Sequence, residues 1–146
     1  MGDRPLLDKK QIEGIIPHWD PFLLIDEVLE LEPGKRVVAL KHVRPEEYYF
    51  EGHFPMEKVM PGVLIIESLA QAGAVAVLSM DENKGKTAYF GGIQNAKFRQ
   101  KVVPGDTLRL EVTLDRIRPT AGMGTAVAYK GGKAACSCGL TFAIER

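Results

Sequence analysis

Residues 62–80, GVLIIESLAQAGAVAVLSM, decide how the chain is read. The stretch carries no lysine or arginine, and as a helix it is nearly long enough to cross a bilayer. Pro61 suits the first turn of a helix, and the polar run DENKGK after Met80 suits its end. As a membrane span it would place Glu67, Ser68, Gln71 and Ser79 in hydrocarbon, and its small-residue half, AQAGAVA, adds little driving force for insertion. A helix apolar around most of its circumference is equally what a protein interior requires. The expectation is therefore a buried central helix and no membrane.

The flanking sequence supplies strands to enclose it. Residues 22–31 (FLLIDEVLEL) and 36–43 read as a hairpin across the turn Glu32-Pro33-Gly34-Lys35. Ahead of them, Asp8 caps a short helix in KKQIEGII that Pro17 closes. Residues 44–60 lack clean periodicity and form a long aromatic loop containing YYFEGHFP. After the helix come strands at 87–99, 107–118, 124–130 and 133–145. The first two are separated by Val103-Pro104-Gly105-Asp106 and the last two by the hairpin signal Gly131-Gly132. Two strands before one apolar helix and four after it predict an α+β domain, an antiparallel sheet wrapped around a central helix. No repeat or linker interrupts the 146 residues, so a single domain spans 1–146.

Composition excludes several classes of function. Lysine plus arginine and aspartate plus glutamate number 19 each, leaving no global field to draw nucleic acid or a membrane surface. The start, MGDRPLLDKKQ, lacks the apolar run and cleavage site of a secretory signal. Cys136 and Cys138, two apart in a strand-like stretch, have no second pair to complete a thiol metal site. They are expected to be reduced packing residues of a cytoplasmic protein. Three scattered histidines without HxxxH or HxH spacing argue against a metal, and no nucleophile elbow, Walker loop or dinucleotide fingerprint appears. No cofactor is expected.

Two polar groups stand where they are costly. On a helical wheel Ile65, Ile66, Leu69, Ala70, Ala72, Gly73, Ala76, Val77 and Met80 fill one half. Glu67, Ser68, Gln71 and Ser79 share the other with Val63, Ala74, Val75 and Leu78, so Glu67 is a lone carboxyl among apolar neighbours. Either this arc faces solvent, or Glu67 is buried without a cation. The second case would favour its neutral form and suit a general acid. His53, in Glu51-Gly52-His53-Phe54-Pro55, is either a satisfied structural histidine or a placed base. Eight residues on, the chain enters the helix at Met60-Pro61-Gly62, and the free N–H groups of the helix start could stabilise a developing oxyanion. Base, acid and oxyanion donor are thus expected near one end of the helix. His18 and His42 are taken as structural.

Taken together, a series of blocks resembles the 3-hydroxyacyl-[acyl-carrier-protein] dehydratases of the FabZ type. They are Pro17-His18 with Pro21-Phe22-Leu23-Leu24-Ile25-Asp26, then Glu32-Pro33-Gly34-Lys35-Arg36, Gly52-His53-Phe54-Pro55, Val59-Met60-Pro61-Gly62-Val63-Leu64-Ile65-Ile66-Glu67, and Val103-Pro104-Gly105-Asp106. The blocks keep the family's order and cover almost the whole chain. The resemblance implies the hot-dog fold, a role in fatty-acid elongation, no cofactor, and an acyl carrier protein as partner. It also implies a homodimer, assembled as a trimer of dimers. It places the catalytic pair on His53 and Glu67, with Gly62 polarising the thioester carbonyl and the Val59 carbonyl holding the histidine ring. Phe54 and Gln71 are expected beside the substrate.

The sequence departs from the family's usual pattern at His18-Trp19-Asp20, at Met56-Glu57-Lys58 and at Gln94-Asn95, none of which carries the implied chemistry. Lys97, Arg99 and Lys101, two apart on an expected strand, would form a basic stripe opposite Phe98, either a docking surface for an acidic carrier or a solvated face. Three rivals remain. A thioesterase of the same fold would use its carboxylate to activate water. A dehydratase-isomerase typically has aspartate in place of Glu67. A non-catalytic acyl-thioester sensor would have no reason to keep an acid and a base together.

Overall fold

The computed structural model describes residues 5–16, 22–50 and 58–145. Helix α1 (Lys9–Glu13) precedes strands β1 (Glu27–Glu32) and β2 (Arg36–His42), and a short 3-10 turn (Tyr48–Phe50) leads on toward helix α2 (Gly62–Leu78). Four strands follow: β3 (Thr87–Phe98), β4 (Thr107–Arg118), β5 (Ala121–Lys130) and β6 (Lys133–Glu145). They form one antiparallel sheet in the order β1-β2-β4-β5-β6-β3, and α2 packs against all six strands. The expected α+β architecture is what forms. No described helix is long and apolar enough to cross a membrane.

The centre of the sheet encloses α2 so fully that every residue from Ser68 to Leu78 is buried, including Ser68 and Gln71 on the arc that also carries Glu67. Gly73 permits the closest approach, since a Cβ there would lie 2.6 Å from the Phe142 ring. Ser68 satisfies its hydroxyl within the helix by donating to the Leu64 carbonyl at 2.8 Å. At the C-terminal end two carbonyls also accept from outside the helix. The Gly34 N–H of the β1–β2 turn donates to Ala76, and Asn83 Nδ2 donates to Val77, each at 2.9 Å. The hairpin turn therefore also caps the helix.

Several boundaries differ from expectation, and strand β5 starts at Ala121 rather than Gly124. Helix α1 has the anticipated Asp8 cap, as a capping box with Gln11, but ends at Glu13, ahead of Pro17. The first strand starts at Glu27 rather than Phe22, because Phe22 and Leu24 bond to a side chain instead of a strand. Leu24 N–H donates to Gln71 Oε1 at 2.8 Å, and Gln71 Nε2 donates to the Phe22 carbonyl at 2.7 Å. Strand β3 stops at Phe98 after an irregularity between Gln94 and Lys97, where Asn95 takes a positive φ of 52°. Lys97, Arg99 and Lys101 are exposed, but only Lys97 lies on a strand, so they do not form the expected stripe.

Candidate active site

The segment that enters α2 is tied down by backbone geometry. Met60 N–H donates to the Val102 carbonyl at 2.7 Å, and Pro61 accepts from Leu64 and Ile65 as the helix begins. No side chain caps this end, so the Gly62 and Val63 N–H groups at the start of the first turn have no partner within the helix. Val59, Gly62, Val63 and Phe98 line a cavity of about 600 Å³ beside that end, with Arg99 and Lys101 also in its wall. Glycine at this position leaves room for the Phe98 ring. A Cβ at this position would lie 2.6 Å from Phe98 Cε1, so the ring closes over the backbone that any ligand would approach.

Glu67 is half-buried and lines a different cavity, of about 300 Å³, with Ala70, Gln71, Ala74, Tyr89 and Phe142. Its neighbours are not all apolar. Gln71, one turn along, is 1% exposed and donates from Nε2 to Glu67 Oε2 at 3.0 Å. Both amide N–H groups are thereby engaged, one on the Phe22 carbonyl and one on Glu67, while Oε1 holds Leu24 N–H. One fully bonded amide sets the carboxylate against the loop ahead of β1.

Within one chain the helix end does not gather Gly62 and Glu67. They are five residues apart, so they point roughly 140° away from each other around the axis. Each faces its own cavity, and the two cavities border opposite ends of β3: Phe98 for Gly62, and Thr87 to Phe90 for Glu67. Strand β3 is the edge of the sheet, paired only with β6, and it exposes Tyr89, Phe90, Ile93 and Phe98. His53 and Phe54 lie outside the described residues, as does His18. Among the described residues, no three His, Cys, Asp or Glu side chains group as metal ligands.

The sequence reading passed over one polar cluster. Lys41, 1% exposed, pairs with Glu47, which also accepts from Arg44 N–H at 2.9 Å and from the Tyr49 hydroxyl at 2.7 Å. Burial first, and then Glu47 beside it, pushes the Tyr49 hydroxyl well above its ordinary pKa. The available signal was a lysine in phase with Val37 and Ala39 on an otherwise apolar strand. Cys136 and Cys138 are free and buried as expected, and burial pushes the Cys136 thiol up to about 12 and raises that of Cys138.

Comparison with known proteins is consistent over nearly the whole chain. Residues 16–138 match the FabA-like domain family. A 3-hydroxyacyl-[acyl-carrier-protein] dehydratase FabZ of Clostridium novyi (strain NT) is 60% identical over 137 residues, 94% of this chain and 96% of the relative. One from Clostridium botulinum (strain Kyoto / Type A2) is 60% identical over 140 residues, covering 96% and 97%. Among solved structures, the dehydratase heterocomplex ApeI:P of Xenorhabdus doucetiae superposes with a TM-score of 0.77 at 18% identity, over 92% of this chain and 91% of the other. A mutant thioesterase of Pseudomonas aeruginosa gives 0.68 at 16%, over 97% and 96%, so the fold alone does not separate the two chemistries. The identity of sequence does, and the chain belongs to the FabA-like family, as a 3-hydroxyacyl-[acyl-carrier-protein] dehydratase of the FabZ type.

Proposed function

We propose that the chain dehydrates (3R)-hydroxyacyl groups carried by acyl carrier protein, in fatty-acid synthesis, at a site shared between two copies. One copy supplies His53 and Gly62, and the other supplies Glu67. Neutral His53 takes a proton from C2 of the acyl chain, and the electron pair left behind forms the C2–C3 double bond. The C3–O bond breaks as Glu67 gives its proton to the departing hydroxyl, so water and the trans-2-enoyl thioester leave together. Gly62 N–H, at the positive end of α2, stabilises charge on the thioester oxygen, and the Val59 carbonyl orients the histidine ring. Phe54 lines the substrate. Gln71 acts on the substrate only through Glu67, because its two N–H groups already have acceptors. Two proton exchanges with solvent restore the starting state, without metal or organic cofactor.

The placement of Gly62 and Glu67 at opposite ends of the exposed β3 edge carries this reading. When two such edges pair antiparallel about a two-fold axis, the start of one strand meets the end of the other. The Glu67 cavity of one copy then meets the Gly62 cavity of its partner, and the exposed aromatic edge is covered. Arg99 and Lys101 at the cavity wall suit the phosphate of the carrier's prosthetic arm and the carrier's acidic surface. The trimer of dimers and the cytoplasmic location follow the family resemblance, and the two free thiols agree with a reducing compartment.

Mixing subunits tests the shared site. His53→Ala and Glu67→Ala chains, each inactive alone, should recover about a quarter of wild-type activity after exchange, since half the dimers are mixed and half of their sites intact. No recovery after verified exchange would place both groups in one chain. Release of free thiol, rather than enoyl product, from a 3-hydroxyacyl thioester would make the protein a thioesterase.

A further inference from the structure

The Lys41–Glu47 pair lies outside both cavities that hold the proposed chemistry. Lys41 opposes Leu108 across the sheet, in the same phase as the fully buried Val37 and Ala39, where an aliphatic residue would pack without a charge. Its partner Glu47 is part-buried and takes three donors: Lys41 Nζ, Arg44 N–H and the Tyr49 hydroxyl. Tyr49 and Phe50 are buried behind it, with ring centroids 4.6 Å apart. On the other side of Arg44, the buried Asp26 accepts from the His42 N–H at 2.6 Å and from the Arg44 guanidinium at 3.2 Å. Residues 44–50 are therefore fastened to the sheet by the buried Asp26 and the part-buried Glu47, and His53 follows Phe50 by three positions in the chain.

A buried ion pair is a poor device for stability. Removing both charges from the water costs about what their attraction returns, and apolar replacements of similar volume often fold as well or better. What an ion pair with three directional donors does supply is a single geometry. We infer that the Lys41–Glu47–Tyr49 cluster is a positioning unit for the segment that delivers His53, acting on catalysis through the placement of that imidazole and not through fold stability. The inference rests on the dehydratase reading only for its kinetic readout.

The test is the triple variant Lys41→Met/Glu47→Leu/Tyr49→Phe, which removes both charges and the hydroxyl while keeping the volumes close. Its Tm should equal or exceed that of wild type. Its kcat should fall about 10²-fold, as misplacement by an ångström does, with KM for the 3-hydroxyacyl thioester nearly unchanged. In the absence of substrate, the imidazole NMR signals of His53, assigned by comparison with His53→Ala, should move. Tyr49→Phe alone, which keeps the ion pair, should lower kcat by a smaller factor at unchanged Tm, and it decides the matter if the triple variant does not fold. Full kcat overturns the inference, as do unmoved His53 signals. A Tm that falls in step with activity overturns it in favour of a purely structural role. A wild-type protein that releases no enoyl product would instead sink the dehydratase reading, and the NMR comparison would still decide the positioning role.

Discussion

At Gln71 the protein buries a neutral amide beside a carboxyl group that remains half open to a cavity. At Lys41 it buries a full cation against a carboxylate that is itself only part-buried. Both units join a side chain to backbone far away in sequence or around a tight turn, yet they are built from different chemistry. A general acid, the role proposed for Glu67, passes through two charge states. A neutral amide donor can serve either state, whereas a cation at hydrogen-bond distance would hold the carboxyl ionised. The Glu47 carboxylate has no such cycle to complete. There, full charges restrict the segment to one arrangement, at the expense of adaptability.

The sharpest break in this comparison comes from the carboxyl groups themselves. Glu67→Gln should leave the circular dichroism spectrum and Tm unchanged while lowering kcat by roughly 10²–10⁴-fold, the usual contribution of a general acid. Near-normal turnover in steady-state assays would remove Glu67 from the chemistry and make its amide partner mere packing.

Next in size is the cost of leaving one charge behind. Lys41→Met on its own strands the Glu47 carboxylate against an apolar neighbour, and urea melts should show a loss of about 3 kcal/mol. Adding Glu47→Leu should restore most of that loss. A single variant as stable as wild type would show that Glu47 escapes to solvent and that the pair fixes nothing.

Gln71→Leu tests the neutral unit in the same way. It leaves Leu24 N–H and the Phe22 carbonyl without the partners they have here, at an expected cost of about 1–3 kcal/mol by denaturant titration. It should also lower kcat more than it raises KM if, as proposed, Gln71 acts on the substrate only through Glu67. A pure KM effect would return Gln71 to a direct contact with substrate.

Gly62→Ala should have the smallest effect on the fold, because the Phe98 ring that its methyl group would strike is half exposed and can swing away. The loss in kcat/KM should be partly recovered by Phe98→Ala in the same chain, with a coupling of about 1 kcal/mol in a double-mutant cycle. Additive losses would mean that the ring and the glycine act separately.

Much of this protein was legible along the chain. An apolar stretch free of lysine and arginine, with strands on both sides, had to become a buried helix, since nothing else covers so much apolar surface. A lone carboxyl on that helix marked Glu67. Strand periods located β4 and β6 to the residue, because alternation is a property of each strand by itself. Tertiary structure decided what stands opposite each group. Residues 22–25 are as apolar as a strand, yet they lie off the ladder, and Gln71, 47 positions beyond Leu24, takes the Leu24 N–H and the Phe22 carbonyl. Gly62 and Glu67 are close in sequence but face separate cavities, since helical rotation turns them apart and the β3 edge separates their surroundings. Lys41 shows in the sequence as a charge in a core phase, but only the fold brings Glu47 back to meet it. Periodicity reports which face of its own element a residue occupies, and the partner across the gap is chosen by chain folding.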